Sequence, residues 1–338
     1  MVTNRKIKFS IIGLGNIGSR HLALTIADPN AEVVAICDID KSKIKKFSDL
    51  HNGLASFDDY DKLLNDSDAD IISICTPHAL HAEMAISAAK KGKHILVEKP
   101  MAISTQDADR MIKTAKENNV KLMVVKQNRY NVPVALTKQA LVESKLGRIF
   151  MVQCNVLWNR YEGYYSESNW RGKKKLEGGA LYTQASHFID LLIWWFGDVV
   201  KAKTFLETRS HAIEIEDCGS SLLTFGSGVM GTLAWTTCVY NSNYEGSITI
   251  IGEYGTIKIG VQYLNQIEYW DVKDFPIPER TQFLDKPNAY GKYQGSSSNH
   301  DKVIKDVISA LLNEKHNSVE GTEGYRSIKA IEMIYNSL

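Results

Sequence analysis

The sequence predicts an α/β protein in which a doubly wound parallel sheet is followed by a large open sheet that is mostly antiparallel. Short apolar strands alternate with helices over the first 125 residues. Such alternation is typical of a parallel sheet with right-handed crossovers. Beyond residue 126 the strands follow one another with few helices between them, which favours antiparallel pairing in a second, α+β domain. We therefore expect two domains, 1–125 and 126–338.

The elements of the first half are short and regularly spaced. Apolar runs predict strands at 6–12, 33–37, 70–75, 94–97 and 120–125. Helical patterns predict helices at 19–27, 41–51, 59–64, 80–91 and 105–118. We expect Asp58 to cap the third of these helices and Gly92 to follow the end of the fourth.

The second half contains more strands than helices. Strands are predicted at 148–157, 203–207, 220–225, 228–237, 247–251 and 256–259. Helices are predicted at 136–144, 180–196, 301–312 and 324–336. The last two either cover the second sheet or return to the first domain. Irregular polar loops are predicted at 159–171 and 273–298.

The composition argues against several classes of protein. The 338 residues are 44% apolar and carry a net charge of +1, so neither a nucleic-acid partner nor a membrane surface is indicated. No apolar run reaches the roughly 18 residues of a membrane span, and the first residues lack the apolar core of a signal peptide. The five cysteines are scattered, which predicts reduced thiols in the cytoplasm. The histidines form no spaced cluster with cysteines or carboxylates, so we expect no metal site.

A glycine turn, Gly13-Leu14-Gly15-Asn16-Ile17-Gly18, links the first strand to the first helix. Its first glycine permits a tight turn, its second lets a pyrophosphate approach the backbone, and its third lets the helix pack on the strand. The helix N-terminus offers N–H groups to the phosphates. The second strand ends at Asp38, twenty residues past Gly18, where a carboxylate can bind ribose hydroxyls. This pattern predicts a dinucleotide site in a Rossmann domain; the alternative is an ordinary turn with an incidental aspartate.

Asp38 also bears on which dinucleotide binds. Its carboxylate would repel a 2′-phosphate, so NAD is favoured over NADP. Four nearby lysines would weaken that preference if they reached the ribose: Lys41, Lys43, Lys45 and Lys46. In the simpler interpretation they form a solvated helix face.

Two further strands end in polar residues at the sheet edge where ligands bind. Thr76 and Pro77 follow one of them, and we expect both beside the dinucleotide. His81 lies one helical turn further on and either contacts the cofactor or packs on the turn. Glu98-Lys99-Pro100 follows the next strand, where a partly desolvated lysine near a carboxylate suits acid–base chemistry. The alternative for Lys99 is a surface salt bridge.

These motifs resemble the glucose-fructose oxidoreductase/inositol dehydrogenase (Gfo/Idh/MocA) family of NAD(P)-dependent sugar dehydrogenases. The matching segments of the first half are GLGNIG at 13–18, CTPHALH at 75–81 and EKP at 98–100. Those of the second half are 170–172, 178–190, 216–217, 252–256 and 320–327. The resemblance covers nearly the whole chain. It implies a Rossmann domain, a C-terminal open-sheet domain and a homo-oligomer, either a dimer or a tetramer.

The resemblance also implies roles for individual residues. Lys99 and His187 would flank the reacting carbinol as the catalytic pair. Thr183, His187 and Asp190 fall at i, i+4 and i+7, which predicts one helix face. Asp190 either orients the imidazole or packs at the core edge. Many family members carry aspartate where this chain has Thr183, which makes simple polyol substrates less favoured. Further cofactor contacts are implied for Glu98, Lys99, Gln127, Trp170 and Arg171.

A narrower resemblance is to the UDP-N-acetyl-2-amino-2-deoxyglucuronate 3-dehydrogenases, a branch that oxidises the sugar C3 hydroxyl on the way to the diamino sugars of surface polysaccharide. It rests on 126–131, 158–160, 164–165, 170–172 and 184–187. Arginines suit an anionic substrate because guanidinium groups bind carboxylate or phosphate by paired hydrogen bonds. Tyr164 and Tyr165 offer faces for a sugar or uracil ring, or form a contact between subunits. The predicted substrate residues are Lys99, Asn128, Arg129, Arg160, Tyr164, Tyr165, Thr183, Gln184 and His187.

The predicted function is NAD-dependent oxidation of the C3 hydroxyl of that nucleotide sugar, a cytoplasmic step toward the lipopolysaccharide O-antigen. One alternative is another sugar or polyol dehydrogenase, acting on inositol, an aldose or UDP-N-acetylglucosamine. Others are a non-catalytic NAD-binding regulator and a structural subunit without turnover. A regulator would be expected to have lost EKP or His187, and both are intact.

Overall fold

The computed structural model describes residues 5–51, 54–278, 287–289 and 294–338. These residues form two compact units. The first unit runs to Val125 and includes His300–Tyr325, and the second comprises Lys126–Asn299 and Arg326–Leu338. Each unit contains one seven-stranded sheet. The division into domains at 1–125 and 126–338 remains a proposal.

The sheet of the first unit is parallel except at one edge. Its strands are β1 (Ile7–Ile12), β2 (Ala31–Cys37), β3 (Ala55–Phe57), β4 (Ile71–Ile74), β5 (His94–Val97), β6 (Leu122–Val124) and β16 (Val319–Glu320). The strand order is β16-β6-β5-β4-β1-β2-β3, and β16 is antiparallel to β6. Every residue of β4 is buried, as expected for a strand covered on both faces. The predicted doubly wound sheet is confirmed, and the carboxyl ends of β1, β4 and β5 share one edge.

The helices of the first unit lie close to the predicted positions. They are α1 (Asn16–Ala27), α2 (Lys41–Leu50), α3 (Tyr60–Asp66), α4 (His81–Lys90), α5 (Thr105–Glu117), α10 (His300–Leu311) and the start of α11 (Gly321–Tyr335). The cap predicted at Asp58 is wrong, because Asp59 accepts the Lys62 N–H at 2.8 Å while Asp58 pairs with Lys41. Gly92 follows α4 with φ +71°, as predicted.

The sheet of the second unit is mostly antiparallel, as predicted. Its strands are β7 (Ile149–Leu157), β8 (Val199–Glu207), β9 (Cys218–Phe225), β10 (Met230–Thr236), β11 (Glu245–Gly252), β12 (Gly255–Gly260) and β13 (Gln266–Val272). The order is β13-β12-β11-β7-β10-β9-β8, and only β7 and β10 pair in parallel. Strand β13 was not predicted because most of its residues are exposed or half-buried, so it has no apolar run.

The segment predicted as an irregular loop at 273–298 is described only in part. It contains a two-stranded ribbon, β14 (Pro287–Ala289) with β15 (Gln294–Ser297). Residues 279–286 and 290–293 lie outside the described residues.

The helices of the second unit differ from the prediction at one important place. They are α6 (Val132–Val142), α7 (Glu162–Ser166), α8 (Lys174–Glu177), α9 (Ser186–Phe196) and the end of α11. The prediction of one uninterrupted α-helix over 180–196 is wrong, because Leu181–Ala185 form a π-helical turn ahead of α9. A π turn holds more residues than an α turn, so side chains on its two sides no longer follow one α-helical face. None of the helices in the described parts of the chain combines the length and hydropathy needed to cross a bilayer.

Candidate functional site

The glycine turn of the first unit has the geometry that a pyrophosphate requires. Gly13 has φ +85°, and a Cβ there would lie 2.7 Å from the Cys75 carbonyl oxygen. A Cβ on Gly18 would lie 1.7 Å from the Gly13 oxygen, so only glycine lets α1 begin this close to β1. A Cβ on Gly15 would meet nothing within 4 Å, which leaves open space in front of the helix. The turn therefore fits a dinucleotide. Gly13 and Gly18 allow its close packing, and Gly15 leaves space for the pyrophosphate.

Asp38 supports the same turn from the end of β2. Its Oδ2 accepts the Leu14 N–H at 2.7 Å, and its Oδ1 accepts the Asp40 N–H at 2.9 Å. Lys43 lies 3.7 Å from Oδ2. The side chain is 8% exposed, so the carboxylate is held against the turn rather than moving in solvent. The contact of Asp38 with the ribose stays a prediction.

The structure gives His81 a role other than the predicted cofactor contact. Its ring is fully buried, with Nδ1 2.8 Å from the Pro100 carbonyl and Nε2 2.8 Å from the Thr76 carbonyl. Both ring nitrogens are thus used within the protein. The imidazole links the segments that follow β4 and β5, and Thr76 and Pro77 lie at that edge as expected.

Glu98 is also turned inward. Its Oε1 lies 3.0 Å from His21 Nε2, and its Oε2 accepts the backbone N–H of Lys99 at 3.1 Å. The predicted cofactor contact of Glu98 therefore competes with an internal set of partners. Lys99 is the residue of the EKP motif that is only partly buried.

In the second unit, the π turn leads directly to His187. The imidazole is 4% exposed, and its Nε2 lies 3.4 Å from Nε2 of Gln127. An amide nitrogen donates hydrogen bonds, so in this contact the imidazole Nε2 is the acceptor. Gln127 lies on a 3₁₀ turn, Gln127–Tyr130, that also carries Asn128 and Arg129.

Asp190 does not take the orienting position considered for it. Its carboxylate receives two bonds from Arg129, of 2.9 and 3.0 Å, and lies 3.2 Å from Lys126 Nζ. Ser327 adds a hydrogen bond of 3.2 Å. Burial opposes charge on Asp190, but Lys126 and Arg129 overcome it and hold the pKa of this carboxyl well below its usual value. Arg129 was predicted to bind a substrate anion, but its guanidinium instead forms an internal ion pair with Asp190.

Thr183 likewise has an internal partner, which the sequence did not predict. Its hydroxyl donates to Oε1 of Glu177 at 2.7 Å, and the other oxygen of Glu177 accepts the Gly172 N–H. Burial raises the pKa of Glu177. The two hydrogen bonds oppose this rise, and so do the positive charges of Arg171 and Arg160. Thr183, His187 and Asp190 therefore bond to three different groups instead of presenting one face.

A cavity of about 1060 Å³ opens in the second unit. Its charged lining consists of Arg160, Arg171 and Lys173 against Glu162 and Glu214. Three cations against two carboxylates favour an anionic occupant. The volume lies slightly above the roughly 300–1,000 Å³ typical of small-molecule sites.

The predicted aromatic residues lie at or next to this cavity. Tyr165 lines the cavity and packs edge-on against Tyr164, with ring centroids 5.0 Å apart. The Arg171 guanidinium lies 4.3 Å from the Tyr164 ring, and Gln184 Nε2 donates to the Tyr164 hydroxyl at 3.4 Å. Both tyrosines are at most 6% exposed, which disfavours the alternative of a contact between subunits. Trp170 completes the group, with its ring 5.3 Å from Arg171.

Sequence reasoning missed several buried polar residues, two in each unit. They are Glu177, Glu216, His21 and His300. Only Glu216 stood in a segment with a recognisable signal, the Glu-Asp pair ahead of β9. The partners of Glu177 are near it in sequence, but its neighbourhood has no pattern that indicates them. His21 and His300 have partners far away in the sequence, which no local pattern reveals.

The chain matches a known family over most of its length. Residues 7–126 match an oxidoreductase family with an NAD-binding Rossmann fold (GFO_IDH_MocA), and residues 138–338 match the C-terminal alpha/beta domain of that family. A similar solved structure is that of the WlbA dehydrogenase from Bordetella pertussis in complex with NADH and UDP-GlcNAcA. It is 35% identical with a TM-score of 0.90, and the match covers 98% of this chain and 96% of that one.

Two curated relatives are more distant. Glucose-6-phosphate 3-dehydrogenase of Bacillus subtilis (strain 168) is 26% identical, over 97% of this chain and 95% of the relative. The 1-carboxy-3-chloro-3,4-dihydroxycyclo hexa-1,5-diene dehydrogenase of Comamonas testosteroni is 28% identical, over 73% of this chain and 62% of the relative.

Proposed function

Because this chain belongs to the glucose-fructose oxidoreductase/inositol dehydrogenase family and is an NAD-dependent oxidoreductase, we propose that it oxidises the C3 hydroxyl of UDP-N-acetyl-2-amino-2-deoxyglucuronate to a ketone. The observation that supports this most is the cationic cavity of the second unit. A nucleotide sugar acid carries a diphosphate and a carboxylate, whereas inositol and aldoses carry no charge. The similarity to the WlbA dehydrogenase points to the same substrate.

We assign substrate binding to the groups on the cavity wall. Arg160 and Arg171 are fork-shaped donors suited to phosphate or carboxylate oxygens. Tyr165 offers an aromatic surface beside them. The residues near His187, namely Asn128, Thr183 and Gln184, remain candidates for contacts with the sugar hydroxyls.

Proton transfer is assigned to Lys99 and His187. One of the two takes the hydroxyl proton, and the other donates a hydrogen bond to the developing alkoxide. When bound, NAD accepts the hydride from the carbinol carbon. The glycine turn and Asp38 hold the dinucleotide, with Thr76 and Pro77 at the same sheet edge. Gln127, Trp170 and Arg171 remain proposed cofactor contacts.

The test is NADH formation followed by absorbance with a panel of substrates. We expect turnover with UDP-N-acetyl-2-amino-2-deoxyglucuronate and little with UDP-N-acetylglucosamine, inositol or free aldoses. Arg171→Leu should raise KM for the uronate at least tenfold, since a bidentate charged contact is lost. Arg209→Leu is the matched control, because the Arg209 side chain is exposed and its guanidinium pairs with Glu207. Turnover of an uncharged sugar in preference to the uronate would contradict the proposed substrate.

We also propose that the protein acts in the cytoplasm, in the synthesis of surface polysaccharide.

We further propose a homo-oligomer formed through the open face of the second sheet. Phe205, Leu222 and Met230 share that face by register and are 75%, 61% and 58% exposed. Apolar side chains grouped in this way mark interaction surfaces. Leu222→Glu should reduce the mass measured by light scattering to that of a smaller species, and Val142→Glu, on α6, should not. An unchanged mass for Leu222→Glu would exclude this interface.

A further inference from the structure

Three titratable side chains that the proposed mechanism does not use meet in the interior of the first unit. His21 Nε2 lies 3.0 Å from Oε1 of Glu98, and His300 Nε2 lies 3.4 Å from the same oxygen. His21 and His300 are 1% exposed and Glu98 is 6% exposed. Ionisable groups at this depth persist only when they are closely paired, so their relative positions are fixed.

The second oxygen of Glu98 connects this cluster to the EKP lysine. Glu98 Oε2 accepts the backbone N–H of Lys99 at 3.1 Å. On the far side of the cluster, His21 Nδ1 lies 2.8 Å from the Ser73 hydroxyl on β4. A continuous line of polar contacts thus runs from α1, the helix that begins at the glycine turn, through Glu98 to the backbone of Lys99.

The groups of the cluster shift one another's pKa values. Burial disfavours the protonated form of His21, but Cys75 and Glu98 raise its pKa to about 10. Burial also opposes charge on Glu98, yet His21 and His300 hold the pKa of this carboxyl well below its usual value. Burial and the neighbouring His21 lower the pKa of His300, which disfavours a second imidazolium beside His21.

We propose that Glu98, held between His21 and His300, is a positioning residue that fixes the backbone of Lys99 in the orientation that proton transfer requires. The proposal rests on the catalytic role assigned to Lys99 above. Because His21 lies on α1, the same contacts tie the position of Lys99 to the helix that begins at the dinucleotide turn.

The test is a double-mutant cycle between Glu98 and Lys99. Glu98→Gln and His300→Gln should each lower kcat roughly tenfold to a hundredfold, since a small misplacement of a catalytic group has effects of that order. The Kd for NAD should change by less than about twofold, as the turn itself is untouched. In the Lys99→Met background, Glu98→Gln should have almost no further effect, because it acts through the lysine. Glu83→Gln, an exposed carboxylate on α4, is the control.

The outcomes separate the two levels of the argument. If Lys99→Met keeps normal turnover, the role proposed for Lys99 fails. A different outcome is that Lys99→Met lowers kcat while Glu98→Gln, introduced in the Lys99→Met background, lowers kcat by the same further factor as in the natural protein. In that case the positioning role fails and Glu98 is only a structural residue. His300→Gln supplies the same comparison if Glu98→Gln does not fold.

Two measurements without turnover complete the test. The rate at which an amine reagent labels Lys99, read by mass spectrometry, should change severalfold in Glu98→Gln while the rate at exposed Lys91 stays constant. An unchanged rate at Lys99 would contradict the proposal. His21, Glu98 and His300 also lie close enough together to ligate a metal ion. One equivalent of zinc in the purified protein, lost in His300→Gln, would overturn the positioning role in favour of a metal site.

Discussion

Arg129 and Asp190 form a bidentate ion pair, with Nε 2.9 Å from Oδ2 and Nη2 3.0 Å from Oδ1. Lys126 approaches the same carboxylate and also donates to Ser327 at 2.9 Å. Asp190 lies one helical turn after His187, and Gln127 lies between the two cations in sequence. The ion pair therefore anchors the 3₁₀ turn to α9 at the place where Gln127 meets the imidazole.

Replacing Asp190 with Asn should destabilise the protein strongly. Two buried cations would lose their counter-ion, and breaking a buried pair in this way typically costs about 3–5 kcal/mol. We expect that loss in the free energy of unfolding measured by urea titration. The double variant Lys126→Met/Asp190→Asn should lose less free energy of unfolding than the sum of the losses in the two single variants. Asp271→Asn, on exposed strand β13, is the control. Additive losses would mean that the pair is not coupled.

The ion pair also gives a pH dependence. Lys126 and Arg129 overcome the effect of burial and hold the pKa of Asp190 below its unfolded value. The stabilisation is therefore complete above the unfolded pKa of about 3.9 and is lost as the pH falls below it.

Lys99→Met and His187→Asn should each lower kcat by roughly 10² or more, the usual effect of losing an acid–base group. Binding of NAD should survive in both, as judged by fluorescence titration, because neither change alters the glycine turn. Near-normal kcat in both variants would refute the assignment of this pair. His94→Gln is a useful control, since this half-buried histidine accepts the Lys121 N–H and has no proposed part in the chemistry.

Asp38→Asn should narrow the preference for NAD over NADP. The change removes the negative charge that repels a 2′-phosphate while keeping an oxygen that can accept the Leu14 N–H. The ratio of kcat/KM for the two cofactors is the measurement. Asp49→Asn, exposed on α2, should leave the ratio unchanged. An unaltered ratio in Asp38→Asn would argue against a ribose contact.

The dinucleotide half of the site could be predicted from the sequence because its parts are close together in the chain. The three glycines and Asp38 lie within one βαβ unit, and each takes the position that its chemistry indicates. The strand bounds could be predicted from apolar runs, because such runs are also local features of the chain. The strands of the doubly wound sheet were therefore predictable to within two residues at either end, apart from short β3 and the edge strand β16.

The other half could not be predicted in the same way, because partners there are distant in sequence. Lys126 and Ser327 are 201 positions apart, and Arg129 and Asp190 are 61 apart. A local pattern identifies Arg129 as a possible anion binder but cannot show that an aspartate already occupies its guanidinium. The π turn before His187 was also unforeseen, since its residues favour an ordinary helix and its geometry depends on tertiary contacts.

Glu216 leads to the last prediction, since it accepts hydrogen bonds at the start of the π turn. Its Oε1 receives the Tyr335 hydroxyl at 2.7 Å and the N–H groups of Trp235 and Leu181 at 3.3 Å each. Burial raises the pKa of Glu216 to about 7, although these bonds oppose the rise. The native carboxyl is therefore partly protonated near neutral pH, where the unfolded one is charged.

The sign of the effect follows from linkage. An acid whose pKa is raised by folding binds more protons in the native state, so stability falls as the pH rises from the unfolded pKa of about 4.3 to the native value of about 7. Glu216→Gln removes this titration. The free energy of unfolding of the natural protein, relative to Glu216→Gln, should thus fall by about 3 kcal/mol between pH 5 and pH 8. Urea titrations at the two pH values measure it, with exposed Glu314→Gln as the control, and a constant difference would show that Glu216 is ionised throughout.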